Sequence, residues 1–315
     1  MLQHLKRLKF LYSAYNFFHK KQLVHNEAMF KKLGLHKKYY SSISSKDFMA
    51  LPGNGNEHVA VDKNKLAGCE LFKTLGPSAK ESLLAFEENG FAVMNNYLSP
   101  EQADAVNAEI EGLLQQKKIK FKYGRKIMFA IHVSELLRSI GNNKGLKELL
   151  GVLTGGEVKL FQSINFVMGS EQDTHSDSIH MTTYPLGGLL GVWIALEDIT
   201  DENGPLHYYP KSHKLPYYLN ADYDNEGTKF LLGSRSYTDY EKMIAEKIKE
   251  QKLEKLKFYA KKGDLLIWHA NLFHGGEKHL NKQKTRMSMV FHYFKAGSIC
   301  YHEISQRPAL IRNYP

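Results

Sequence analysis

The sequence predicts a mainly β fold, a sandwich or barrel decorated with helices. Three observations carry this. From Gly156 onward the chain breaks into short apolar runs with two-residue alternation, separated by turn signals such as Gly204-Pro205 and Gly263-Asp264. The helical periodicities fall mostly before that point, so helices come first and many short antiparallel strands follow. The 315 residues, 43% hydrophobic and 24% charged, suffice for one large domain.

Taken in order, residues 1–40 form a basic arm. Leu2, Leu5, Leu8, Leu11 and Tyr15 recur at near-helical spacing among charges, which predicts an amphipathic helix. Residues 41–65, rich in Ser, Gly and Asn, read as a linker, and 66–315 as a single domain. A helix should end near Asn89-Gly90, with a short strand after it in "FAVMNNYL". Ser99, Pro100 and Gln102 supply an N-cap, a first-turn proline and the third member of a capping box, so a helix starts there. A further helix is expected over about 133–153. Strands then follow in "VKLFQSINFVMG", "LLGVWIALEDI", "GDLLIWHANLFHGG" and "TRMSMVFHYFKAG", with a shorter one after Pro205. In the second of these, Leu190, Val192, Ile194 and Leu196 occupy one face and Trp193 and Glu197 the other. An insert at about 217–257 contains a charged helix over 238–257.

The net charge of +10 is uneven. Residues 1–40 hold nine Lys or Arg and one acid, Glu27, so +8 resides in the arm and the remainder is near neutral. A nucleic-acid binder would carry a basic stripe across its folded domain, so no nucleic-acid partner is expected. The arm is read as a helix packed on the domain, or as a surface that contacts anionic lipid or an acidic partner. Lys6, Arg7 and Lys9 break the apolar core a secretory signal needs. No apolar run approaches the roughly 20 residues of a membrane-spanning helix. Cys69 and Cys300 form no disulfide or CxxC pattern, so two free thiols in a reducing cytoplasm are expected.

"QDTHSDSIHM" places His175 and Asp177 two positions apart. On a strand they share a face, while His180 faces the other side. An imidazole and a carboxylate suit Fe(II), Mn(II) or Zn(II), and a third ligand would complete a facial triad with open positions. His269, His274 and His279 are the candidates. His274 precedes Gly275 and Gly276, which would let a ligand or metal approach closely. Twelve residues after His274 comes Arg286, with Ser288 on the same face, a guanidinium and hydroxyl suited to a dicarboxylate. His180, His207, His269, His279 and His292 are otherwise read as surface or hydrogen-bonded core histidines.

"HSDSIHMTTYPLGGLLGVWIALEDITDENGPLHYYPKSHKLP", "GDLLIWHANLFHGG" and "TRMS", in that order, resemble the phytanoyl-CoA dioxygenase family of Fe(II)/2-oxoglutarate oxygenases. The resemblance runs from about Glu87 to about Lys295 and omits the arm. It implies a double-stranded β-helix, a jelly-roll, cupin-like barrel. It implies His175, Asp177 and His274 as Fe(II) ligands. It implies Arg286, assisted by Ser288, as the grip on the distal carboxylate of the cosubstrate 2-oxoglutarate, with Trp193 on the strand lining the site. The implied reaction is hydroxylation of an unactivated C–H bond of a small-molecule or acyl substrate by O₂, releasing succinate and CO₂. Related iron enzymes that halogenate lack the carboxylate, so Asp177 favours hydroxylation. Two departures stand out. Lys211 occupies a place where the family usually has glycine, so Lys211 or His213 is expected near the substrate entrance. The 217–257 insert is read as a solvated charged face or as a cover over the site, where substrate choice would then reside. A non-catalytic jelly-roll module binding a carbohydrate or lipid, or a cupin using another metal, would have no need of Arg286.

Overall fold

The computed structural model describes residues 7–51 and 60–312. Leu2, Leu5 and linker residues 52–59 lie outside the described residues. Thirteen strands are formed among those described: β1 (Phe91–Met94), β2 (Phe121–Lys122), β3 (Lys126–Met128), β4 (Val158–Phe166), β5 (Thr182–Tyr184), β6 (Leu189–Ala195), β7 (Leu206–Tyr208), β8 (Leu256–Phe258), β9 (Leu265–His269), β10 (His274–Gly276), β11 (Ser288–Lys295), β12 (Ile299–His302) and β13 (Arg307–Pro308). One sheet has seven strands in the order β1-β9-β6-β11-β4-β3-β2, and two have three, β10-β7-β8 and β13-β12-β5. The named pairings are antiparallel, as when β11 runs between β4 and β6.

The small sheets face the large one, giving a jelly roll. Alternation along the strands assigns the two faces of the large sheet. Leu190, Val192, Ile194, Leu265, Ile267, Met289 and Phe291 point outward into a cluster with Val106, Ile110, Leu146 and Leu150. These last four come from helices Pro100–Gln115 and Lys144–Thr154. Trp193, Leu266, Trp268 and Val290 point inward, against Leu206, Tyr208 and Phe258 of the small sheet. The capping box at Ser99 and Gln102 is present. The helix expected over 133–153 is two helices, Glu135–Gly141 and Lys144–Thr154, because Asn142 leaves helical geometry and Asn143 caps the second. The insert helix spans Tyr237–Glu250, and residues Leu256–Phe258 of its expected tail join a sheet as β8.

The arm helix Lys9–Phe18 lies on the domain. The Arg307 guanidinium stacks over Tyr12 and Tyr15, at 5.3 and 5.0 Å, and Leu8 bridges to Leu231 of the insert. Phe48 stacks on Tyr184 at 4.1 Å, and Ser45 donates to the buried Glu303 carboxylate through both backbone and hydroxyl. Cys69 and Cys300 are free and buried. Among the described residues no helix is long and apolar enough to cross a membrane.

Gly191 has a role the sequence does not reveal. A Cβ built there would sit 2.3 Å from the indole of Trp268 on the neighbouring strand. Gly191→Ala is therefore expected to destabilise the fold by about 1–3 kcal/mol through overpacking, a fall of several degrees in Tm. It should also displace Trp268, whose bond to Asp177 is described next; thermal melting and metal titration of the variant check both effects.

Candidate metal centre

His175 and His274 are brought face to face by their own backbones. Each donates its N–H to the other's carbonyl at 2.9 Å, a single antiparallel bridge that ties His175 to β10. After Ser176 the chain leaves this extended stretch. Ser176 caps a short 3-10 turn, Asp177–Ile179, through its hydroxyl to Ser178 N. Asp177 thus reaches the same spot from the start of a turn, not from the regular strand that the two-residue spacing suggested. His175, Asp177 and His274 each contribute one ligand atom, all within 4.8 Å of one another, and all three are buried.

The ring orientations suit a metal. His175 Nδ1 lies 2.9 Å from Asp173 O, and His274 Nδ1 lies 2.9 Å from Leu272 O. A carbonyl only accepts, so both Nδ1 atoms carry the proton and both Nε2 lone pairs face Asp177 Oδ1, at 3.9 and 3.7 Å. The other carboxylate oxygen, Oδ2, accepts from Trp268 Nε1 at 2.7 Å and lies 3.4 Å from His292 Nε2. Burial pushes the Asp177 carboxyl pKa up, but His274, His292 and His175 outweigh it and hold it well below the ordinary value. Burial, reinforced by His274, pushes His175 down to about 3, so the ring is neutral and able to ligate. The donor set therefore fits a divalent cation of the Fe(II) type.

Arg286 stands at the inner part of the same cavity, a space of about 1310 Å³ that also reaches His175, Asp177 and His274. The residue is only 3% exposed. Its Nε donates to Gly204 O at 3.2 Å and Nη1 to Ser288 Oγ at 3.1 Å, while its guanidinium lies 5.4 Å from the Trp193 ring. Burial lowers its pKa to about 10, partly offset by Glu197, so it stays charged at neutral pH. No carboxylate among the described residues forms an ion pair with it, and the guanidinium has donors to spare. Trp193 Nε1, also buried, has no partner. A buried cation beside an unpartnered indole N–H is costly unless an anion completes it. Ser288 meets the guanidinium through the Nη1–Oγ hydrogen bond alone among the described side-chain contacts.

Other expectations shift. Gly275 is required by close chain packing: a Cβ there would meet Gln172 O at 2.7 Å, so the glycine admits backbone, not a metal. Lys211 adopts φ +67°, which explains the usual glycine, but its ammonium pairs with Glu88 at 3.0 Å; His213 is buried against Glu87 O at 3.1 Å, and neither lines the cavity. His207 and His279 are hydrogen-bonded inside the protein, to Thr174 and Met168 O. His180 does line the cavity, because the 3-10 turn swings it back.

It belongs to a polar wall the sequence did not disclose. Lys126 on β3 donates to Gln172 Oε1 at 2.8 Å, Gln172 Nε2 donates to Tyr237 Oη at 3.1 Å, and Tyr237 Oη lies 3.0 Å from His180 Nε2. Tyr237 opens the insert helix, and Glu241, one turn on, also lines the cavity. The first turns of the insert helix thus form part of the cavity wall.

Residues 125–288 match the family model of phytanoyl-CoA dioxygenase. A "Phytanoyl-CoA dioxygenase domain-containing protein 1" from Rattus norvegicus is 28% identical over 216 residues, 67% of this chain and 65% of the relative. The bovine protein of that name (Bos taurus) is 30% identical over 129 residues, 41% of each chain. The chain thus spans less than two thirds of the length of these relatives. An ectoine dioxygenase from Halomonas elongata is 24% identical over 261 residues, 76% of this chain and 78% of that one. Among solved structures, a non-heme alpha-ketoglutarate-dependent carbocyclase from nogalamycin biosynthesis superposes with TM-score 0.59 at 19% identity, covering 72% of this chain and 87% of that one. The EctD protein of S. alaskensis, solved with 2-oxoglutarate and 5-hydroxyectoine, gives 0.54 at 20%, covering 70% and 77%. These likenesses support the jelly-roll fold.

Proposed function

The chain belongs to the phytanoyl-CoA dioxygenase family, and on that premise we propose that it is an Fe(II)- and 2-oxoglutarate-dependent dioxygenase. The reaction proposed is hydroxylation of an unactivated C–H bond of a small-molecule or acyl substrate, with one atom of O₂ entering product and the other succinate. The observation that carries this reading is a single cavity lined both by the buried His175/Asp177/His274 cluster and by the buried Arg286 beside the orphaned Trp193 N–H.

His175 Nε2, His274 Nε2 and Asp177 Oδ1 would hold the iron. When bound, the metal supplies the activation of O₂ coupled to decarboxylation of the 2-oxo acid. The chain's own residues do the rest. Asp173 O and Leu272 O hold the imidazoles in their ligating tautomer, and Trp268 holds Asp177 Oδ2 so that Oδ1 points inward. Arg286 and Trp193 Nε1 bind and orient the distal carboxylate of 2-oxoglutarate, and Ser288 fixes the guanidinium's rotation. Phe166, Leu206, Trp193 and Val290 line the interior and exclude water. The wall of Lys126, Gln172, Tyr237 and His180 faces the substrate.

The test is aerobic turnover with Fe(II) and 2-oxoglutarate across a substrate panel, reading succinate. Succinate that requires both, with a hydroxylated product of matching amount, is expected. No succinate, together with no Fe(II)-dependent absorption on adding 2-oxoglutarate, would leave the non-catalytic ligand-binding module as the better reading.

A further inference from the structure

The arm helix Lys9–Phe18 has its polar and apolar faces reversed for a surface helix. Its inward face carries Tyr12, Asn16 and the C-cap His19, held by Arg307 and by Asn16 Nδ2 donating to Tyr40 O at 3.0 Å. Its outward face carries Phe10, Leu11, Ala14, Phe17 and Phe18, all exposed, with Phe18 at 81%. A water-facing aromatic stripe of this kind marks an interaction surface. The β2–β3 hairpin repeats the pattern, with Phe121 49% and Tyr123 84% exposed.

The two elements that carry these aromatics both border the same opening. The cavity is lined at its exposed rim by Tyr12, Tyr15 and His19 of the arm and by Lys117, Lys120 and Tyr123 of the hairpin region. Within the two segments themselves the charge is of one sign. Lys20, Lys21, Lys117, Lys118, Lys120 and Lys122 are all exposed, and neither 7–22 nor 115–132 contains an Asp or Glu. Exposed aromatics interleaved with lysines match an anionic bilayer, where rings enter the headgroup region and ammonium groups meet phosphate and carboxylate. A second copy of the chain is a poor fit, because the same lysines would be brought against one another.

We propose that this face docks the protein on an anionic lipid surface, with Phe10, Phe17, Phe18, Phe121 and Tyr123 entering the interface and the cavity mouth held against it. The inference stands apart from the metal chemistry, since it needs neither iron nor turnover.

The test is co-sedimentation of the full chain with phosphatidylcholine vesicles, alone or with about 30 mol% phosphatidylserine. Binding to the anionic vesicles, weak binding to the neutral ones, and release near 1 M salt, where the Debye length is about 3 Å, are expected. Phe17→Ser with Phe18→Ser should reduce partitioning about tenfold or more. Lys20→Glu with Lys21→Glu should do the same, given about fivefold per lysine. These side chains are exposed, so the melting temperature should not change. In Phe18→Trp, the added fluorescence should shift to the blue with anionic vesicles, a change the buried Trp193 and Trp268 do not give. Absence of vesicle binding, or variants that bind like the parent, overturns the proposal. So does a dimer in solution that the Phe17/Phe18 variant breaks, which would assign the face to a second copy.

Discussion

Asp177→Ala is expected to abolish succinate formation, with a loss on the order of 1000-fold or more, because it removes one of three proposed ligands and the only anionic one. A loss of several kcal/mol of metal-derived stabilisation converts to that factor at about 1.4 kcal/mol per tenfold. The anion matters twice in this site. Its Oδ1 faces both imidazole Nε2 atoms, and its Oδ2 accepts from Trp268 and lies beside His292. Alanine therefore also leaves the Trp268 N–H buried without an acceptor, at about 1–3 kcal/mol of fold stability. Asp177→Asn separates the two effects: the amide oxygen can still accept from Trp268, so the melting temperature should recover while Fe(II) affinity stays low. Metal titration monitored by the absorption of the 2-oxoglutarate complex, alongside thermal melting, checks this. Full Fe(II) affinity in Asp177→Ala would remove the carboxylate from the proposed site.

The parts of this arrangement legible in the sequence are those set by local spacing. Ser99, Pro100 and Gln102 announce a helix start because a capping box is closed within one turn. His175 and Asp177 are legible as a pair because they are two apart, and His274, Arg286 and Ser288 because they follow in order along two successive stretches of the chain, β10 and the start of β11. His175 and Asp177 do share one spot, but through a different local structure from the strand their spacing suggests: a 3-10 turn begins at Asp177, and that same turn returns His180 to the cavity that a strand would have turned it away from. The supporting residues were hidden because their partners are remote. Trp268 meets Asp177 across 91 positions, Lys126 arrives from a hairpin too short to show alternation, and Tyr237 lies on an insert whose charge pattern signals only a solvated helix. Even the inward face of β6 resists reading, since both faces of that strand are buried and alternation in polarity disappears.

Arg286→Ala should raise the 2-oxoglutarate KM by on the order of 100-fold while leaving Fe(II) binding nearly unchanged. Truncating one partner of a buried, hydrogen-bonded charge pair costs about 2–5 kcal/mol, most of it from leaving the other charge unpaired. The distal carboxylate is the partner proposed here, so the loss should appear in KM and not in metal affinity. Arg286→Lys keeps the charge but not the fork. It should recover little, because Ser288 Oγ and Gly204 O hold the guanidinium plane and a lysine has no plane to hold. Trp193→Phe removes only the orphaned N–H and should raise KM more modestly, by about 5–30-fold for one charge-assisted hydrogen bond. Steady-state kinetics in 2-oxoglutarate, paired with Fe(II) titrations on each variant, separate the roles. Equal losses of both ligands in Arg286→Ala would mean that the residue supports the barrel as a whole. In the wild-type fold the same residue fits the proposed role: a guanidinium 3% exposed, over an indole whose N–H is unpartnered, with no acid ion-paired to it among the described residues. A fold-stabilising arginine at this depth would bring its own carboxylate; one that waits for a dicarboxylate would not.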